Sequence, residues 1–265
     1  MNVHLGRVCL VSTLALLLLG CALLPDVGSM MEEAEEALPL APIGGIPVQV
    51  VADVEFDNRE TMEGVELTAS SGRWTHRQEG RLLSTLGWQP HLDQIDAAHG
   101  AGRLHCYYDW GQPDPHTTPH WTVQWSSELS FDDPGTGSAR PLIDLATYGD
   151  DVLVLYAPPR EFTYWHPGSP DDCQNPDPVA AHEATGNLWY SLDDVDVERP
   201  PDADTSSRTV VQEGIVLLRI PLNRLRSGVS ETNTVSLGAT DQGTYGAADW
   251  SLRIALTLTS PPEGG

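Results

Sequence analysis

The feature that most constrains this chain is alternation of apolar and polar residues with period two. Val48, Val50, Ala52, Val54 and Phe56 fall on one side of an extended backbone, with Gln49, Asp53 and Glu55 on the other. Trp121, Val123, Trp125, Leu129 and Phe131 repeat the pattern. So do Trp250, Leu252, Ile254, Leu256 and Leu258, opposed by Ser251, Arg253, Thr257 and Thr259. Successive side chains of a strand point to opposite faces, so each segment predicts a strand with one buried and one wet face. Shorter strand candidates are Gly64–Ala69, Arg103–Tyr108, Val152–Ala157, Asn187–Leu192, Thr209–Ile220 and Thr234–Ala239, each bounded by Gly, Pro, Asp or Asn. Helical signal is confined to Pro90–Ala98 and Leu222–Arg226. Short strands separated by turn-rich connections predict an all-β chain, an antiparallel β-sandwich or jelly-roll-like single domain over residues 47–265. A body of that size can fill one core. Long loops are expected at 111–119, 158–186 and 193–207, and long connections in compact domains tend to carry function.

The first residues obey a different rule. A short positive region, Met1 to Arg7, precedes twelve mostly apolar residues, Val8 to Leu19. That run is short of the ~20 residues that span a bilayer and fits the apolar region of a secretory signal peptide. Leu18-Leu19-Gly20-Cys21 resembles the lipobox of bacterial lipoproteins. The resemblance implies export, removal of residues 1–20, and a mature chain beginning at a lipid-modified Cys21 carrying acyl chains such as palmitate. Each buried methylene adds ~0.8 kcal/mol of membrane affinity, so several chains on one residue anchor stably. Ala22 in place of Asp implies passage to the outer membrane if the cell is Gram-negative. Residues 21–46, with Pro25, Pro39, Pro42, Gly44 and Gly45 around the acidic stretch Glu32 to Glu36, read as a flexible acidic tether.

Charge narrows the partners. The chain has 14 basic residues, all of them Arg, against 38 acidic ones, for a formal charge of −24. Nucleic acid is therefore excluded as a partner, because phosphate binding needs clustered Lys and Arg. The missing lysine removes phosphate-loop NTPases, pyridoxal and Schiff-base enzymes, protein kinases and serine-lysine acylases. Membrane contact is left to the anchor, since the acidic body repels anionic head groups.

Of four cysteines, Cys9 leaves with the signal peptide and Cys21 carries lipid. Cys106 and Cys173 remain, and in an oxidising compartment they are expected to form a disulfide. His116 and His120 have a spacing that puts both on one side of an extended chain, a start toward a metal site that His166, Asp171, Asp172 or His182 would have to complete. The plain alternative is a pair of exposed loop histidines. No resident cofactor is expected. Calcium is the cation best suited to Asp171, Asp172 and Asp177 or to Asp193, Asp194 and Asp196, but neither set follows the calcium-loop spacing, and a solvated acidic loop is the simpler reading. Exposed aromatics on a β-sandwich make platforms for sugar rings, and Trp110 and Trp165 are the candidates, whereas Trp121, Trp125 and Trp250 belong in the core.

No G-x-S-x-G elbow, H-E-x-x-H or glycine-rich nucleotide loop is present. The sequence thus favours a non-catalytic, lipid-anchored binding or structural module over an enzyme. Its expected ligand, a carbohydrate or a partner protein of the envelope, would meet loops holding Trp110, His116, His120, Trp165 and His166. The competing class is an extracytoplasmic hydrolase using a metal or paired carboxylates in those loops.

Overall fold

In a computed structural model, residues 45–83, 87–107, 119, 121–131, 140–167, 180–188, 190, 197–199, 214–242 and 246–262 are described. Three long strands dominate: β1 (Ile46–Met62), β2 (Val65–Leu83) and β3 (Gly87–Cys106). They continue into β4 (Trp121–Ser130), β5 (Leu142–Tyr148), β6 (Asp151–Ala157), β7 (Glu161–His166), β8 (His182–Asn187) and β9 (Ile215–Pro221), then one helix, α1 (Leu222–Ser227), and finally β10 (Val229–Gln242) and β11 (Gly246–Ser260). The chain is an all-β sandwich in which every strand pairing is antiparallel. One sheet has eight strands in the order β10-β11-β1-β2-β3-β4-β7-β8, the other has three in the order β5-β6-β9.

The alternating segments do what their pattern requires. Val48, Val50, Ala52, Val54 and Phe56 of β1 lie beside Leu252, Ile254, Leu256 and Leu258 of β11 in one core, all buried. Trp125 and Trp250 are buried there too. Strand β6 is buried on both sides. Val152, Val154 and Tyr156 enter the shared core, while Leu153, Leu155 and Ala157 form a smaller cluster with Ala146 and Val216 on the far face of the three-stranded sheet. Such two-sided burial produces the unbroken apolar run in its sequence.

Polar groups are buried in the core, one pair bridging the two sheets and two pairs joining β2 to β3. The Trp74 indole N–H of β2 donates to Tyr156 Oη of β6 at 3.0 Å, and the Trp88 indole N–H donates to Gln78 Oε1 at 3.0 Å. His76, fully buried, meets Asp93 Oδ1 through Nε2 at 2.6 Å, and its Nδ1 has no hydrogen-bond partner. Burial lowers the pKa of His76 and raises that of Tyr156.

Several expectations are corrected. Pro90–Ala98 is not a helix: it lies within β3, paired with β2 from Gly80↔Pro90 to Thr75↔Asp96. Pairing and burial of Trp88 outweigh local helical tendency, and Pro90 is tolerated because β4 pairs only with His99–Cys106, leaving this half of β3 with one partner. Extra residues at His91 and at Ala97, whose φ is 52°, bulge the strand there. The 158–186 segment is not a single loop but contains β7 and β8, the latter at 182–187 instead of the expected 187–192. Helix α1 forms where expected, burying Leu225, with Arg224 and Arg226 in its last turn where the helix dipole favours cations.

Two glycines make turns that other residues would strain. Glu63 at φ 50° and Gly64 at φ 82° form the two-residue β1–β2 turn, the doubly positive geometry of a type I′ hairpin. Gly149 at φ 61° serves the β5–β6 turn.

Candidate functional site

The residues that β1–β4 do not bury build the site. Alternation puts Asp57 and Arg59 outward on β1, and register aligns them with outward neighbours on the next strands. One row runs Asp57, Ser71, Ala101, Ser126, and the next Arg59, Ala69, Arg103, Gln124. Small side chains at Ala69, Ser71 and Ala101 leave an open cleft of about 770 Å³, walled by Asp57, Arg59, Glu66, Arg103 and Gln124.

Glu66 is the electrostatic centre of this face. Arg103 binds it through two nitrogens, Nε on Oε1 and Nη2 on Oε2 at 2.9 Å, the fork geometry suited to a carboxylate. Arg59 Nε is 2.9 Å from Oε2, and His105 Nε2 is 3.4 Å from Oε1. His105 is steadied in turn by Thr122 Oγ1, 2.7 Å from its Nδ1. The Arg103 hydrogen bond, helped by the nearby charges of Arg59 and His105, holds the Glu66 carboxyl below its ordinary pKa. Tyr107 donates its hydroxyl to the Glu66 backbone carbonyl at 3.2 Å, and desolvation, then the Glu66 charge, raises the phenol's pKa.

Strand β7 brings an aromatic group to the same face. Phe162 and Tyr164 turn inward, with Tyr164 stacked on Trp125 at 4.0 Å between ring centroids, so Trp165 turns outward and is 57 % exposed. Its backbone N–H donates to Ser127 Oγ at 3.1 Å, tying β7 to β4 beyond their short ladder, and Glu183 of β8 lies opposite it.

Of the residues singled out from sequence, Trp165 is presented to solvent, although from a strand and not from a loop. His166 is 9 % exposed, facing inward against Tyr164, and pairs in register with His182, their rings 5.3 Å apart. Trp110, His116, His120, Asp171, Asp172, Cys173, Asp177, Asp193, Asp194 and Asp196, together with Cys21, lie outside the described residues. The Trp121 side chain lies outside them as well. Among the described residues no three His, Cys, Asp or Glu side chains converge as a metal site. Arg59, Glu66, Arg103 and Gln124 were not singled out from sequence. Their only signal there is an outward position on an alternating strand, which they share with every polar surface residue. No family model matches the chain, and neither the curated proteins nor the solved structures yield a match, so the cleft is read from its own residues.

Proposed function

We propose that this chain is a lipid-anchored lipoprotein of the bacterial cell envelope whose sandwich is a binding module, and that the outward face of β1–β4 with Trp165 is its binding surface. The observation that carries the reading is the cleft itself: about 770 Å³ of open space on a rigid sheet, floored by small residues and walled by planar hydrogen-bonding groups. Sites built on strands hold such groups more accurately than loops do. The anchor rests on the Leu18-Leu19-Gly20-Cys21 lipobox. The Cys106–Cys173 disulfide belongs to the same proposal, supported by the burial of Cys106 at the end of β3.

A hydrolase using Asp57 and Glu66 as paired carboxylates is the second reading, favoured by their sharing one cleft. It is the weaker one. A general acid needs a raised pKa, whereas Glu66 is held ionised by the Arg103 hydrogen bond and is already committed to two guanidiniums.

Two experiments test the proposal. Labelled palmitate should enter the wild-type protein and not Cys21→Ala, which should leave the membrane fraction; a Cys21→Ala protein that stays membrane-bound would sink the anchor. Filling the cleft with Ser126→Trp should abolish retention on isolated envelope polysaccharide while leaving Tm within a degree or two, because Ser126 is outward and exposed. Undiminished retention would remove the cleft from the account.

A further inference from the structure

We infer that the cleft takes an uncharged glycan chain lying across the strands, long enough to reach from Arg59 on β1 to Trp165 on β7. This rests on the binding-surface reading above and adds the ligand's charge, length and direction.

Direction and length follow from register. The rows that line the cleft run perpendicular to the strands. With neighbouring strands ~4.8 Å apart, the path from β1 to β4 is ~14 Å; Trp165 stands one strand further and beside Glu128, so the path from Arg59 slants along the strands and reaches ~23 Å. That is the span of several linked sugar rings and far more than one. The cleft is open rather than enclosed, so a chain can pass through it without presenting an end.

The lining suits hydroxyl groups. Arg, Asp, Glu and Gln each offer two polar atoms in a plane, a match for two adjacent hydroxyls of a sugar ring. A guanidinium has five N–H donors. Glu66 engages two of the Arg103 nitrogens and one of Arg59, and both side chains are about half exposed at 49 % and 53 %. Small floor residues Ala69, Ser71 and Ala101 allow a ring to approach the sheet. At the β7 end, Trp165 offers a π-face of the kind on which sugar C–H groups stack, held by a strand and backed by neighbouring aromatic packing.

Charge selects among glycans. Arg59 and Arg103 balance Asp57 and Glu66 inside the cleft, whereas the whole chain carries −24. The surrounding field repels a polyanion, and the compensated cleft offers it no net attraction. A basic protein partner would be drawn to the acidic surface elsewhere in preference to this neutral patch.

The test uses full-length protein in detergent micelles and titration calorimetry with cello-, xylo- and chito-oligosaccharides, each as disaccharide and hexasaccharide, with oligogalacturonate as the acidic counterpart. One neutral series should bind, its hexasaccharide at least about tenfold tighter than its disaccharide and with little dependence on salt. Trp165→Ala and Arg103→Ala should each weaken the hexasaccharide by about tenfold or more with Tm preserved. Tighter binding of oligogalacturonate that Arg103→Ala abolishes would overturn the neutral-chain inference and leave the cleft as the binding surface. Equal affinity for disaccharide and hexasaccharide would overturn the extended chain. Absence of binding to every neutral series overturns the inference outright, and sugar binding that survives Ser126→Trp overturns the cleft reading with it.

Discussion

A polar atom taken out of water without a partner costs ~1–3 kcal/mol, and His76 Nδ1 is such an atom. Among the described residues, Asp93 from β3, Arg140 ahead of β5 and the Tyr156 ring from β6, set edge-on with centroids 6.1 Å apart, face this imidazole. Burial is the largest influence and lowers its pKa from the ordinary 6.5; Asp93 opposes that, and Arg140 reinforces it. The folded protein therefore binds this proton less readily than the unfolded chain. His76 contributes its full stability above pH 6.5, and that contribution is lost as pH falls through and below this value. His76→Leu removes both the orphan atom and the titration, while Asp93, 39 % exposed, stays hydrated. Its Tm at pH 7.5 should equal or exceed that of the wild type, and its decline between pH 7 and pH 5 should be shallower; parallel pH profiles by calorimetry would refute this account. The cleft shows the limit of sequence reading at this scale. Trp165 stood out within the aromatic run Phe162-Thr163-Tyr164-Trp165-His166, but its orientation needed β7 to be recognised. Arg59, Glu66 and Arg103 converge only through pairings between distant strands, which no local spacing encodes.

Among the elements, backbone and packing demands can be separated at two glycines. Gly64 sits at φ 82° with open space around it, so Gly64→Ala should lose ~1 kcal/mol through conformation alone. Glu63→Asn, better suited to a positive φ of 50°, should gain a few tenths of a kcal/mol. Gly102 is the contrary case: an added Cβ would lie 2.5 Å from the Trp125 indole nitrogen. Gly102→Ala should therefore cost ~1–3 kcal/mol in urea unfolding and shift tryptophan emission as Trp125 is displaced. An unchanged spectrum would show that the ring can yield freely. The long alternations of β1, β4 and β11 were legible because each puts one face into the core. β7 was not, since its inward Phe162, Tyr164 and His166 are too few to separate strand from loop. The Pro90–Ala98 stretch was misread because the bulges at His91 and Ala97 break period two where β3 is strand.

For the molecule as a whole, a formal charge of −24 makes self-repulsion a standing cost. Moderate salt should raise Tm, and a Tm unchanged between low and physiological ionic strength would show that the acidic groups are already compensated. The all-β architecture could be foreseen because alternation is a property of each segment. The division into eight and three strands could not, because it depends on which distant segments pair. That pairing governs how the chain can assemble. β1 lies inside the large sheet between β2 and β11, with Gln49 opposite Thr259. Half of its hydrogen-bonding capacity, and the apolar neighbours Leu252, Ile254, Leu256 and Leu258 beside it, arrive only with β11. A chain delivered N-terminus first thus keeps its principal core open until β11 is present. Chains ending at Gly228 should be protease-sensitive throughout, with resistance returning in one step once β11 is present.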